Sequence, residues 1–269
     1  MGASPDLAVE SEVAPPRPCR VIAIVNQKGG VGKTTTTINL GSALAEKGSH
    51  VLLVDLDPQS NSTRGLGFDP RRSRQTVYQL LTGEATIDDV AIPTTVGGLH
   101  LIPSQLDLAG AEIELAGLPD RETRLRTALR ELGGGFGHVL IDCPPSLGLL
   151  TLNALVAASE MLIPMQCEYF SLEGLGHLLY TQQLVRMNLN PNLDVTGIVM
   201  TQFDARTTLS WDVLAEVRRA YPDQVFKTLI PRNVRVSEAP SHGLSVLQYD
   251  SACRGSQAYR QLAEEVLAR

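Results

Sequence analysis

The chain has 269 residues, of which 43% are hydrophobic and 19% charged, so it carries enough apolar surface for one sizeable core and is excluded from the disordered classes. Its net charge of −6 argues against a globally basic nucleic-acid binder, and no apolar run approaches the roughly 18 residues of a membrane span. The four cysteines, Cys19, Cys143, Cys167 and Cys253, contain no C-x-x-C pair, which fits reduced structural thiols and weighs against an iron–sulfur role.

Residues 1–18 are acidic and proline-bearing and lack an apolar signal core, so they read as a disordered tail ahead of one α/β domain over residues 19–269. A protein without a signal is expected in the cytoplasm. Residues 21–25 read as a buried strand and residues 34–47, closed by Gly48, as a helix. Between them runs Asn26-Gln27-Lys28-Gly29-Gly30-Val31-Gly32-Lys33-Thr34-Thr35. Strand, glycine loop and helix form the context of a phosphate-binding loop. Glycines let backbone N–H groups turn toward phosphate oxygens, and the helix directs its positive end at the same anion. Lys33 is expected to reach the β- and γ-phosphates and Thr34 to ligate Mg²⁺. The first glycine of the usual pattern is Gln27 here, and a second lysine, Lys28, precedes Gly29.

Residues 51–55 read as the next strand, ending in Asp55-Leu56-Asp57-Pro58. Two carboxylates at the carboxyl end of a strand stand where open parallel sheets bind ligands. Phosphoryl transfer needs one acid near Mg²⁺ and one to position the attacking water; the alternative is a plain helix N-cap. Residues 76–84 read as a short helix, 99–103 as a strand and 106–132 as a long helical region. Residues 138–142 form an apolar strand ending in Asp142, the second carboxylate element of phosphate-loop enzymes. Residues 147–159, 172–188, 209–221 and 256–267 read as helices; 161–165, 195–201 and 225–230 read as strands. The alternation predicts a mainly parallel twisted sheet with helices on both faces.

The runs Lys28 to Thr34, Asp55-Leu56-Asp57-Pro58-Gln59 and Asp142-Cys143-Pro144-Pro145-Ser146 resemble the ParA/Soj branch of the deviant Walker A ATPases, whose loop MinD and the nitrogenase iron protein share. The resemblance extends through residues 201–207 and 230–241 and covers residues 20–269. It implies an ATP- and Mg²⁺-dependent hydrolase of the phosphate-loop NTPase fold that forms a nucleotide-sandwich homodimer. In that dimer Lys28 reaches the partner's ATP. The ATP site comprises Lys28, Gly29, Gly30, Val31, Gly32, Lys33, Thr34 and Thr35, with Pro231 and Asn233 near the adenine. Asp57 orients the water; Thr34 binds Mg²⁺ directly, and Asp55 and Asp142 act as outer-shell acids. The implied partners are non-specific double-stranded DNA and a ParB-type centromere-binding protein, which places the protein on the nucleoid and not on a membrane.

Between residues 204 and 260 there are eight Lys/Arg against six Asp/Glu, a balance of +2 that leaves −8 for the remainder. A DNA surface is therefore expected to be a local C-terminal patch. The resemblance carries Arg206 and Arg235 to that surface, with Arg232 and Arg254 as weaker candidates; ordinary surface ion pairs are the competing reading. About 20 residues before the first strand are too few for a helix-turn-helix module, so operator binding is not expected. A MinD-like membrane-cycling ATPase is the alternative function, and it would need a basic amphipathic C-terminal helix. The run Tyr259-Arg260-Gln261-Leu262-Ala263-Glu264-Glu265 carries acidic residues instead.

Overall fold

Residues 19–169 and 171–269 are described in the computed structural model; the tail expected over residues 1–18 lies outside them. The strands are β1 (Arg20–Ile24), β2 (Val51–Asp55), β3 (Ile92–Pro93), β4 (Leu99–Ile102), β5 (His138–Asp142), β6 (Glu160–Gln166), β7 (Asp194–Phe203) and β8 (Val225–Pro231). They form one sheet in the order β3-β4-β2-β5-β1-β6-β7-β8. All pairings are parallel except the edge pair β3 and β4. Every residue of β2 and β5 is buried, because helices cover both faces.

The helices are α1 (Lys33–Glu46), α2 (Asn61–Gly65), α3 (Val77–Thr82), α4 (Ile87–Val90), α5 (Leu108–Ala116), α6 (Arg124–Leu129), α7 (Leu149–Ala157), α8 (Ser171–Asn188), α9 (Thr208–Ala220), α10 (Val234–Glu238), α11 (Val246–Tyr249) and α12 (Arg254–Ala268). Alternating strand residues feed two cores. Ile22, Ile24, Val51 and Leu53 join Leu40 and Leu44 of α1 and Leu262 and Val266 of α12 on one face. Ala23, Val25, Leu52 and Val54 join α5 to α9 on the other. The α/β architecture expected from the alternation of strands and helices is therefore present.

One expectation is corrected. Residues 106–132 are two helices, α5 and α6, separated by a turn that contains Pro119 and the left-handed Asp120 at φ 56°. The Pro119 ring disfavours helical backbone at residue 118, and the chain restarts at Arg124. Each piece still buries its apolar side: Leu108, Ala111 and Leu115 on α5, Leu125 and Leu129 on α6.

β1 lies between β5 and β6, and the chain leaves it in opposite directions, toward β2 on one side and from β5 across to β6 on the other. Such a reversal opens a crevice at the carboxyl ends of the strands, where the glycine loop emerges. One wall of that crevice rests on a contact between two glycines. Gly243 has φ +67°, and a Cβ built on it would stand 2.5 Å from Gly67 Cα, with Gly67 itself at φ +86°. Gly243→Ala is expected to destabilise the fold by about 2 kcal/mol or more, from left-handed strain plus backbone overlap. A urea midpoint equal to wild type would show that the two turns separate freely.

Candidate active site

The crevice is a cleft of about 640 Å³ lined by Gly29, Gly30, Gly32, Lys33, Thr34, Thr35 and Asp57, with Gln202 and Pro240 on its far wall. Gly30 and Gly32 adopt φ +76° and +88°, a region that side chains disfavour. No side chain caps α1 and no acid sits in its first turn, so its first N–H groups and its positive end remain available to an anion. Lys33 is buried, and its ammonium donates to Lys28 O at 3.2 Å. Burial pulls the Lys33 ammonium below its ordinary range, against the opposing charges of Asp142 and Asp57.

Asp55 and Asp142 stand at the same register on the adjacent strands β2 and β5, both with no exposed surface. Asp55 accepts from Thr63 N at 2.8 Å and Thr63 Oγ1 at 2.6 Å, so it ties α2 to the strand end. Asp142 accepts from Ser62 Oγ at 2.8 Å. Burial pushes both carboxyls up, and the charge of Asp142 pushes Asp55 further. The Ser62 hydrogen bond, and after it the neighbouring Thr34 hydroxyl, work against the shift of Asp142. Neither acid lines the cleft, and Asp142 stands next to Thr34 and Lys33. Asp57 does line it, with one carboxylate oxygen accepting from Gln59 N at 2.8 Å.

This donor set fits a divalent cation. Among the described residues no three His, Cys, Asp or Glu side chains form a protein-only metal site. Mg²⁺ does not need one, since it keeps several waters and binds through one or two protein oxygens plus phosphates. A cation beside Thr34 would also add positive charge next to Asp142, beyond that of Lys33. Bound there, it would neutralise charge on the phosphates.

Lys28 does not line the cleft of its own chain. Its ammonium pairs with Glu168, and its N–H donates to Asn26 Oδ1 at 3.0 Å. A smaller cavity of about 280 Å³ adjoins the cleft through Gly32, Thr35 and Gln202, and Pro231, Asn233, Val236 and Tyr259 form its walls. Asn233 also caps α10 by accepting from Arg235 N at 2.8 Å. Phosphates on the loop would thus place a base among the residues expected near adenine.

The arginines gather at the ends of β7 and β8. Arg232 N donates to Phe203 O at 3.1 Å, so the turns after the two strands are joined. Arg206 is exposed and pairs with Asp204 at 2.7 Å. Its hydrogen bonds, with the charge of Arg232 behind them, hold the Asp204 carboxyl well below the carboxylate range. Arg235 pairs with Glu238 at 3.0 Å and with Asp250 at 3.5 Å. Arg254 is exposed at the start of α12, next to Gly255, whose added Cβ would meet Val236 and Asn233 of the α10 region. Trp211 of α9 braces the same corner: its indole N–H donates to Ala205 O at 3.0 Å and its ring meets Phe203 edge-on at 5.0 Å.

Several contributors have no role in the sequence reading, although Thr201 and Gln202 lie in the 201–207 run that carries the resemblance. Ser62 and Thr63 engage the two buried acids, and Glu168 holds Lys28. Gln166, Thr201 and Gln202 bind the loop from outside. The available signal was positional: Gln166, Glu168, Thr201 and Gln202 all lie at the carboxyl ends of β6 and β7.

Residues 19–195 match the family described as AAA domain. The chain is 52% identical over 249 residues to the sporulation initiation inhibitor protein Soj of Bacillus subtilis, covering 93% of this chain and 98% of that one. It is 53% identical over 254 residues to the chromosome partitioning protein ParA of Caulobacter vibrioides, covering 94% and 95%. Among solved structures, it is similar to the cobyrinic acid a,c-diamide synthase of Mycobacterium smegmatis with bound ATP analogue and magnesium, at TM-score 0.82 and 42% identity over 93% and 94% of the two chains. Similarity to the cell division ATPase MinD of Pyrococcus furiosus is more distant, at TM-score 0.75 and 27% identity over 93% and 98%. With the glycine loop, both strand-end acids and this identity along nearly its whole length, the chain belongs to the ParA/Soj family of partitioning ATPases.

Proposed function

We propose that this ATPase is a nucleotide-gated DNA-partitioning switch on the nucleoid. ATP and Mg²⁺ occupy the cleft, two protomers close face to face with Lys28 of each at the other's triphosphate, and the doubled arginine patch then binds duplex DNA without reading sequence. A ParB-type centromere-binding partner stimulates hydrolysis and releases it. The observation that carries this reading is the convergence of Lys33, Thr34 and Asp57 on one cleft, in a chain more than half identical to partitioning proteins. Asp57 orients a water that attacks the γ-phosphorus as the bond to the ADP oxygen breaks; one proton of that water stays on the phosphate and the other passes to solvent, giving ADP and hydrogen phosphate.

The membrane-cycling alternative is disfavoured by α12. Its apolar residues Tyr259, Leu262, Ala263 and Val266 are buried in the core and are not available to lipid. Among the described residues no helix is long and apolar enough to cross a membrane.

Duplex binding measured with no nucleotide, ADP, ATP and a non-hydrolysable ATP analogue tests the proposal. Binding confined to the last two supports it, and equal binding in all four removes the switch. The patch has its own test. Arg235→Glu is expected to weaken binding on unrelated duplexes alike. Losing two phosphate contacts per dimer should shrink the slope of log K against log salt by about 1.8. Dimerisation with ATP should survive. An unchanged slope would leave Arg235 as a partner of Glu238 and Asp250 only.

A further inference from the structure

Two side-chain amides converge on one carbonyl of the glycine loop. Gln166 Nε2, at the end of β6, donates to Gly30 O at 2.8 Å, and Gln202 Nε2, at the end of β7, donates to the same oxygen at 2.9 Å. The next carbonyl, Val31 O, accepts from Thr201 Oγ1 at 2.7 Å. Gln202 adopts φ +50°, which an L residue rarely does, and only Ser60 and Asp120 share that property among the described non-glycine residues. Ser60 stands in the turn before α2 and Gln202 at a register irregularity near the end of β7, both beside the cleft, where such conformations collect when a site demands them.

The peptide unit is planar and trans, so the direction of a carbonyl fixes the direction of the following N–H. Holding Gly30 O toward β6 and β7 turns Val31 N–H the opposite way, and holding Val31 O fixes Gly32 N–H likewise. A carbonyl oxygen has two acceptor sites, and two amides use both, which leaves that peptide no alternative partner to rotate toward. Glycines at positive φ would otherwise let these units turn freely.

We infer that Gln166 and Gln202 are positioning residues for the triphosphate: they set the N–H directions of the phosphate loop before nucleotide arrives. This rests on the reading that ATP occupies the loop. The glutamines act on the loop's peptides, and the phosphate oxygens are met by its N–H groups. Preorganised donors bind an anion more tightly than donors that must first be oriented.

Gln166→Met with Gln202→Met tests the inference, since methionine keeps the length and carries no donor. Titration with a fluorescent ATP analogue should show about tenfold weaker binding, the cost of orienting loop donors that are no longer set in advance. The urea midpoint without nucleotide should match wild type, and amide exchange over residues 29–32 should accelerate while exchange in β1 does not. A purely structural role would move the midpoint and the β1 amides together. If the double variant is too unstable to titrate, Gln166→Met alone, whose backbone is ordinary, should still weaken binding about threefold. Wild-type affinity in a folded variant overturns the inference. Failure of the wild-type protein itself to bind the analogue would instead overturn the ATP reading, so the two failures are distinct.

Discussion

Asp57→Ala is expected to retain ATP and to hydrolyse it at least about 100-fold more slowly, so that in the proposed cycle its ATP-bound form should persist on DNA. The magnitude is that of losing a positioned acid–base group from a phosphoryl-transfer site. Binding survives because Lys33, Thr34 and the loop are untouched, and Asp142 still supplies a carboxylate beside them. Asp57 is the acid that lines the cleft, whereas Asp55 and Asp142 are fully buried and do not line it. Asp57→Asn sharpens the test, because an amide oxygen can keep the bond from Gln59 N while the negative charge is lost. Single-turnover hydrolysis and filter-retained nucleotide measure the two halves. Turnover within about threefold of wild type in both variants would move the water-positioning role to another acid.

Lys28→Gln should bind ATP near wild-type affinity and lose both the ATP-dependent dimer and nearly all turnover. A cation supplied across an interface to a transferring phosphoryl accelerates hydrolysis by about 10³–10⁵. Within one chain Lys28 is held by Glu168 and not by its own cleft. That pair is half exposed, so exchanging Glu168 for a partner's phosphates gives up under about 1 kcal/mol. Light scattering with ATP reads the dimer, and phosphate release reads the rate. A variant dimer as tight as wild type would confine Lys28 to the surface pair with Glu168.

The parts of the site that the sequence discloses are those whose chemistry is local. Lys33 and Thr34 follow their glycines directly, and Asp55, Asp57 and Asp142 announce themselves as acids closing apolar strands. The alternation of strands and helices also reads through, because burial on both faces leaves short unbroken apolar runs such as residues 51–54 and 139–141. The break at Pro119 is a local signal too, hidden by the helical composition on either side. Gln166, Gln202 and Glu168 are different in kind. Each meets the loop across more than 130 residues of chain, and nothing in a glutamine's neighbours states which carbonyl it will reach. The pairing of Arg206 with Asp204 is local, whereas that of Arg235 with Asp250 required the fold.

Trp211 is the chain's single tryptophan, and it is fastened to the turn that carries Arg206. Its indole is half exposed, with one edge in water and the other against Phe203. Its emission therefore depends on the hydration and geometry of residues 203–206. The protein contains its own optical probe at the corner where the cations collect, and a duplex settling there should alter the colour or intensity of that emission. Mixing experiments can then follow the encounter in real time on the unlabelled chain, with no dye added to a surface whose charge is the quantity of interest.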